Sequence, residues 1–255
     1  MKTIVEKWNE SETFKLLKNC IQQNMEHPVL CTEETPITNY FSQIQHQLQK
    51  FNDLDFSNAR YGSKAFQEML CSAQEEAQKM LYEYSHVEYL LAAFGNPTRL
   101  DFGTGHELQF IAFLAHNPQL PFYSSLSAYL RCQRRIIKAF RLEPAGSKGV
   151  WGLDDYFFAP YLFGAAQLAK ASVCTPEQAI TGQTDNNVCD YLYLWAVDCT
   201  RQDKGPRFAE HSPMLWDISG LSSWAKIRDG LLKMYDKEVL KNEKIIQNFF
   251  SSGVE

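Results

Sequence analysis

The sequence predicts an all-α protein. Apolar residues recur at steps of three and four through most of the chain, as one buried face of a helix requires, and no stretch shows the strict alternation of a half-buried strand. Glycine and proline cluster in a few short stretches between these patterns, where they punctuate helices. The 255 residues suffice for one large domain or two small ones with a real core.

Residues 3–23 carry Ile4, Val5, Trp8, Leu16, Leu17, Cys20 and Ile21 at roughly helical spacing. Ile37, Tyr40, Phe41, Ile44, Leu48 and Phe51 form a second stripe, with Pro36 suited to its first turn. Residues 64–84 repeat the pattern from Ala65 and Phe66 to Leu81 and Tyr84. Residues 123–141 place Leu126, Tyr129, Leu130, Ile136, Ile137 and Phe140 inward. Arg131, Arg134, Arg135, Lys138 and Arg141 give that helix a basic flank, either a solvated face or a docking surface for an acidic partner. Residues 156–169 continue as a helix interrupted at Pro160, and the polar, turn-rich residues 170–187 read as a surface connection. Asp190-Tyr191-Leu192-Tyr193 opens a helix to about Thr200, which Lys204-Gly205-Pro206 ends. Trp224, Ile227, Leu231, Met234, Tyr235, Val239 and Leu240 mark the last long helix. Each stripe reads as core.

Composition narrows the function. The chain has 25 Lys+Arg against 30 Asp+Glu, net −5, with no basic block, which argues against a nucleic-acid partner. The seven cysteines are odd in number and include no Cys-x-x-Cys, so reduced thiols in a cytosolic protein are expected rather than a disulfide framework or zinc site. No apolar run has signal-peptide or membrane-spanning length.

Two loops carry the chemistry. Phe94–Glu107 is a glycine loop (Phe-Gly-Asn-Pro-Thr-Arg-Leu-Asp-Phe-Gly-Thr-Gly-His-Glu) running into a helix, with Arg99 close by. Free N–H groups and the helix dipole make such a place suited to anions. Without a second histidine at helical spacing, His106 and Glu107 read as helix-start polar residues with structural bonds. Leu142–Tyr156 holds Gly146, Gly149 and Gly152 at every third position, with Trp151 between them and Asp154-Asp155 at a helix start. This is either a tight connection, with Asp154 as N-cap and Trp151 as a core plug, or a pocket wall whose carboxylates meet a hard cation. A Ser/His pair at His211-Ser212 lacks the Gly-x-Ser-x-Gly elbow of a hydrolase.

These two loops, with Arg60-Tyr61-Gly62-Ser63-Lys64-Ala65-Phe66 and Glu210–Ser219, resemble the phosphotyrosyl phosphatase activator family, also called protein phosphatase 2A phosphatase activators. The resemblance covers nearly the whole chain and is weakest over residues 12–58, 170–187 and the tail. It implies a single α-helical domain over residues 1–255 with core, linker and lid subdivisions. It also implies activation of protein phosphatase 2A, peptidyl-prolyl cis–trans isomerase activity, and ATP and Mg2+ as cofactors. The partners implied are the phosphatase catalytic subunit and a proline-containing peptide, with no nucleic acid and no membrane, in the cytoplasm and also the nucleus. Carried over, Arg99, Thr104, Gly105 and Gln247 contact ATP. Gly149, through its carbonyl, and Asp155 belong to the magnesium site. Trp151, Gly152 and Asp154 belong to the catalytic peptide pocket. Arg60 is expected to be a structural anchor. Phe102 replaces the usual tyrosine, and the tail lacks the family's proline and has Asn248 for histidine. A nucleotide-binding assembly chaperone, or a binding-only scaffold, is the alternative function.

Overall fold

The structure, a computed structural model, describes residues 3–31, 34–51, 64–146, 152–184 and 190–251. Its centre is two helices that are apolar nearly all round, α6 (Thr104–His116) and α8 (Ala159–Ala171). Glu107–Ala115 and Ala159–Leu168 are buried without a break, as expected of helices enclosed by others.

Amphipathic helices surround this pair. In order these are α1 (Ile4–Glu10), α2 (Glu12–Glu26), α3 (Pro36–Gln47), α4 (Lys64–Met80), α5 (Val87–Ala92) and α7 (Phe122–Phe140). After α8 come α9 (Pro176–Thr181), α10 (Leu192–Lys204), α11 (Phe208–His211), α12 (Pro213–Ser219), α13 (Trp224–Tyr235) and α14 (Glu243–Ser251). α6 packs on α2, α5, α7 and α14, while α8 packs on α2, α10 and α13. α10 approaches so closely that a Cβ on Gly164 of α8 would stand 2.1 Å from the Tyr193 nitrogen. The chain ends meet: the Trp8 indole N–H donates to the Leu240 carbonyl at 2.9 Å, and its ring lies 4.8 Å from Phe249 of α14.

The helical expectation holds, with local corrections. α3 begins at Pro36 behind a Thr35–Thr38 capping box, where a proline's missing N–H costs nothing. Pro160 does not interrupt a helix over 156–169. It sits in the first turn of α8 for the same reason, and α8 starts only at Ala159. The expected surface connection over 170–187 contains α9, started by a Thr175–Gln178 capping box. Gly205, at φ 91°, ends α10 four residues later than expected. The tail, for which the sequence suggested no element, forms α14.

A small non-helical feature ties the two signature loops together. Strands β1 (Asp101–Phe102) and β2 (Glu143–Pro144) pair in parallel. The Glu143 N–H donates to the Leu100 carbonyl at 2.7 Å and the Ala145 N–H to that of Phe102 at 2.8 Å. The basic flank of α7 is partly solvated, with Arg135, Lys138 and Arg141 exposed, and partly tied to α10. Arg134 pairs with Asp203 and donates to the Cys199 carbonyl at 2.7 Å, and Lys138 meets Asp203 at 2.8 Å, joining α7 to α10. Among the described residues the cysteines are all free thiols, and no helix is long and apolar enough to cross a membrane.

Candidate functional site

A cavity of about 1090 Å³ opens where the β1–α6 loop, the segment leading into α8, the end of α13 and α14 converge. Loop and helix geometry explain how each wall is built.

The first wall is the start of α6. Asn96 Oδ1 accepts the N–H groups of Thr98 and Arg99 at 2.9 and 2.8 Å, an Asx turn that sets the loop. Arg99 is about half exposed and its Nε meets Asp101 Oδ2 at 2.7 Å, while Asp101 Oδ1 is buried with no hydrogen-bond partner among the described residues. Gly103 then passes under β2, so tightly that a Cβ there would lie 2.5 Å from the Ala145 carbonyl oxygen. Having no side chain, Gly103 offers no cap to the first N–H groups of α6, which follow at Thr104 and Gly105. A Cβ on Gly105 would meet only the Ile245 side chain of α14, at 3.6 Å.

His106 and Glu107 make the structural bonds expected of them. His106 Nδ1 accepts the Gly103 N–H at 3.3 Å, and burial pushes the imidazole down to about 4, so the ring is neutral. Glu107 is fully buried, and its Oε2 accepts the N–H groups of Phe158 and Ala159 at 3.0 Å each. Desolvation raises this carboxyl to about 8, against the opposing pull of those two backbone bonds.

The second wall is the segment Gly152–Phe158. Asp154 is the cap of this turn: Oδ1 accepts from the N–H groups of Tyr156 and Phe157 at 2.8 and 3.1 Å. Its Oδ2 accepts the Tyr161 hydroxyl at 3.1 Å, with Thr200 Oγ1 at 3.3 Å. Asp155, one residue on, pairs instead with Lys204 at 2.5 Å.

Of the residues predicted from the sequence, Arg99, Thr104, Gly105, Gly152, Asp154 and Asp155 line this one cavity. Gly149, Trp151 and Arg60 lie outside the described residues. Gln247 stands on an exposed face of α14 and is not among the lining residues; α14 lines the cavity instead with Lys244, Ile245 and Asn248. The His211-Ser212 pair is structural: His211 Nδ1 lies 2.9 Å from Ser212 Oγ and Nε2 lies 3.0 Å from the Gly205 carbonyl, with Ser212 buried. Among the described residues no cluster of three or more His, Cys, Asp or Glu forms a metal cage.

Sequence reasoning missed Gln109 and Met234, which also line the cavity. Gln109 was legible in part, since it follows Gly105 by four residues and so shares its face of α6. Met234 was read as core.

Fold and site together define a helical protein whose two glycine loops are stitched by one short parallel pairing and share a cavity. The chain belongs to the phosphotyrosyl phosphate activator (PTPA) protein family, whose profile matches residues 1–254. It is 34% identical to Serine/threonine-protein phosphatase 2A activator 2 of Yarrowia lipolytica over 266 residues, covering 96% of this chain and 71% of that one. It is 41% identical to Serine/threonine-protein phosphatase 2A activator 1 of Schizosaccharomyces pombe over 177 residues, 64% of this chain and 54% of that one. The chain therefore spans only about half the length of some curated relatives. A crystal structure of the PP2A phosphatase activator Ypa1 superposes with a TM-score of 0.74 at 28% identity, covering 93% of this chain and 85% of that one.

Proposed function

We propose that this protein activates protein phosphatase 2A, and that its cavity holds the phosphates of ATP together with a proline-containing segment of the phosphatase. The observation that carries the reading is the meeting of Arg99 and the uncapped start of α6 with the Gly152–Asp155 segment in one cavity. Relatives that match 96% and 64% of the chain are named as phosphatase activators.

The residues fit a nucleotide–magnesium pair. The N–H groups of Thr104 and Gly105, the dipole of α6 and the Arg99 guanidinium suit phosphate oxygens. The unpaired Asp101 Oδ1 and Gln109 Oε1 mark polar capacity at the cavity wall that the protein itself leaves unused. Asp155 suits a magnesium ion, which takes one or two carboxylates, keeps several waters and bridges phosphates. Bound there, the ion supplies charge neutralisation to the phosphates.

Prolyl isomerisation needs no nucleophile, because its barrier of ~20 kcal/mol is amide resonance. An apolar surface that strips water from a prolyl amide and fits its twisted form lowers that barrier. Leu153, Phe157 and Phe158 offer such a surface beside Gly152. Asp154 serves by holding this segment in shape, since both its carboxylate oxygens are engaged within the fold. That same engagement favours a second reading, a nucleotide-dependent assembly chaperone without isomerase activity.

The experiment combines purified phosphatase catalytic subunit with this protein, with and without ATP and Mg2+, beside a proline-peptide isomerisation assay. Activation with isomerisation supports the first reading, and activation alone supports the chaperone. No activation and no complex would remove both.

A further inference from the structure

The side chain of Gln109 is unusual in this cavity. The residue is only 4% exposed, lies on the wall, and its Oε1 has no hydrogen-bond partner among the described residues. A buried amide oxygen left unpaired costs free energy, so its retention asks for a partner from outside the chain. Oxygen and nitrogen of the amide exchange by rotation about a broad terminal torsion, so either end can be presented to the cavity.

Position names the partner. Gln109 follows Gly105 by one helical turn on the same face of α6, about 6 Å further along the helix. Gly105, with no side chain, lets the Ile245 side chain of α14 come within 3.6 Å of where a Cβ would stand, so α14 forms the facing wall. A molecule whose phosphates sit at the start of α6 therefore extends its other end past Gln109. The cavity's walls include apolar side chains suited to the faces of a flat ring, Phe158, Met234, Val239 and Phe249. Gln109 is the uncharged polar group of α6 set among them, and an amide matches a base edge that carries an amino donor beside a ring acceptor.

We propose that Gln109 is a specificity-determining residue that reads the amino-bearing edge of a nucleobase whose phosphates rest on the start of α6. The proposal rests on the nucleotide reading of the cavity. It adds a requirement for the 6-amino group that the phosphate contacts alone do not impose.

The test is calorimetric, on the whole chain, with three probes: ATP, the triphosphate of purine riboside (the same base without its amino group) and inorganic tripolyphosphate. Wild type is expected to bind ATP about tenfold more tightly than the deaminated analogue. Gln109→Leu, close in size, is expected to lose that preference while keeping its tripolyphosphate affinity. The ligand-free melting temperature of Gln109→Leu should equal or exceed wild type, because the substitution removes an unpaired buried polar group. Triphosphates that bind wild type without regard to the amino group overturn this proposal and leave the nucleotide reading standing. A Gln109→Leu protein that melts lower and loses all three ligands alike makes Gln109 structural, which also overturns it. Failure of all three probes to bind wild type overturns the nucleotide reading and this proposal together.

Discussion

Glu107 holds the backbone N–H of Ala159 at 3.0 Å from a carboxyl group that no solvent reaches. This one contact fixes the first turn of α8 to the first turn of α6, and so sets the distance between the two walls of the cavity. Its second oxygen, Oε1, is buried without a partner among the described residues. Burial makes ionising such a group costly and raises its carboxyl above the ordinary range, to about 8.

The first prediction concerns pH. Glu107 is raised from 4.5 to about 8 in the fold. Between those values the folded protein holds a proton that the unfolded chain has released. Stability therefore falls as pH rises through this window, and the loss is complete only above about 8. Glu107→Gln keeps an acceptor for Phe158 and Ala159 but cannot ionise. Denaturant midpoints between pH 5 and 8.5 should decline less steeply for the variant than for wild type. Parallel profiles would mean that Glu107 is not the titrating group.

Arg99→Ala should weaken ATP binding by ~1.5–3 kcal/mol, the worth of a charge-assisted hydrogen bond. Its ion pair with Asp101 is about half exposed on the arginine side, so stability should change by less than about 1 kcal/mol. Calorimetry and a thermal melt on the same preparation separate the two. Unchanged ATP affinity would take Arg99 out of the site.

Asp154 and Asp155 should differ in kind. Asp154→Ala leaves the N–H groups of Tyr156 and Phe157 without their acceptor and the Tyr161 hydroxyl with only Thr200, and should destabilise by ~2 kcal/mol or more. Asp155→Ala breaks one partly exposed pair with Lys204 and should cost less than about 1 kcal/mol, while removing the gain in ATP affinity that Mg2+ brings. Equal stabilities, or an Asp155→Ala protein that still responds to Mg2+, would refute this division.

Gly103→Ala tests the stitching of the two loops. The backbone there is extended, at φ −170°, so conformation is no obstacle to alanine. The obstacle is space: the new Cβ would stand 2.5 Å from the Ala145 carbonyl oxygen, a backbone atom that cannot swing aside. The expected loss is ~1–3 kcal/mol, with β2 pushed from β1 and weaker anion binding at α6. A melting temperature equal to wild type would show that the β1–β2 pairing is loose.

The amino-acid sequence by itself determined the helical class, because the 3.6-residue repeat of apolar side chains is a local property that each segment carries whatever it packs against. It also signalled the proline that starts α3 and the glycine that stops α10, since capping residues, prolines and glycines act within a few residues of themselves. It identified the two loops that form facing walls of the cavity as well, for a glycine loop with an arginine has the same backbone chemistry wherever it lies. Only the tertiary structure decided how partners were shared out. Asp154 and Asp155 are neighbours in sequence and identical in type, yet one is consumed by Tyr156, Phe157 and Tyr161 and the other by Lys204. Gln109 looked like any polar residue in a helix until the tertiary structure buried it on the cavity wall, with no hydrogen-bond partner for its oxygen among the described residues. Burial and hydrogen-bond supply are sums over segments far apart in the chain, and no local pattern contains them.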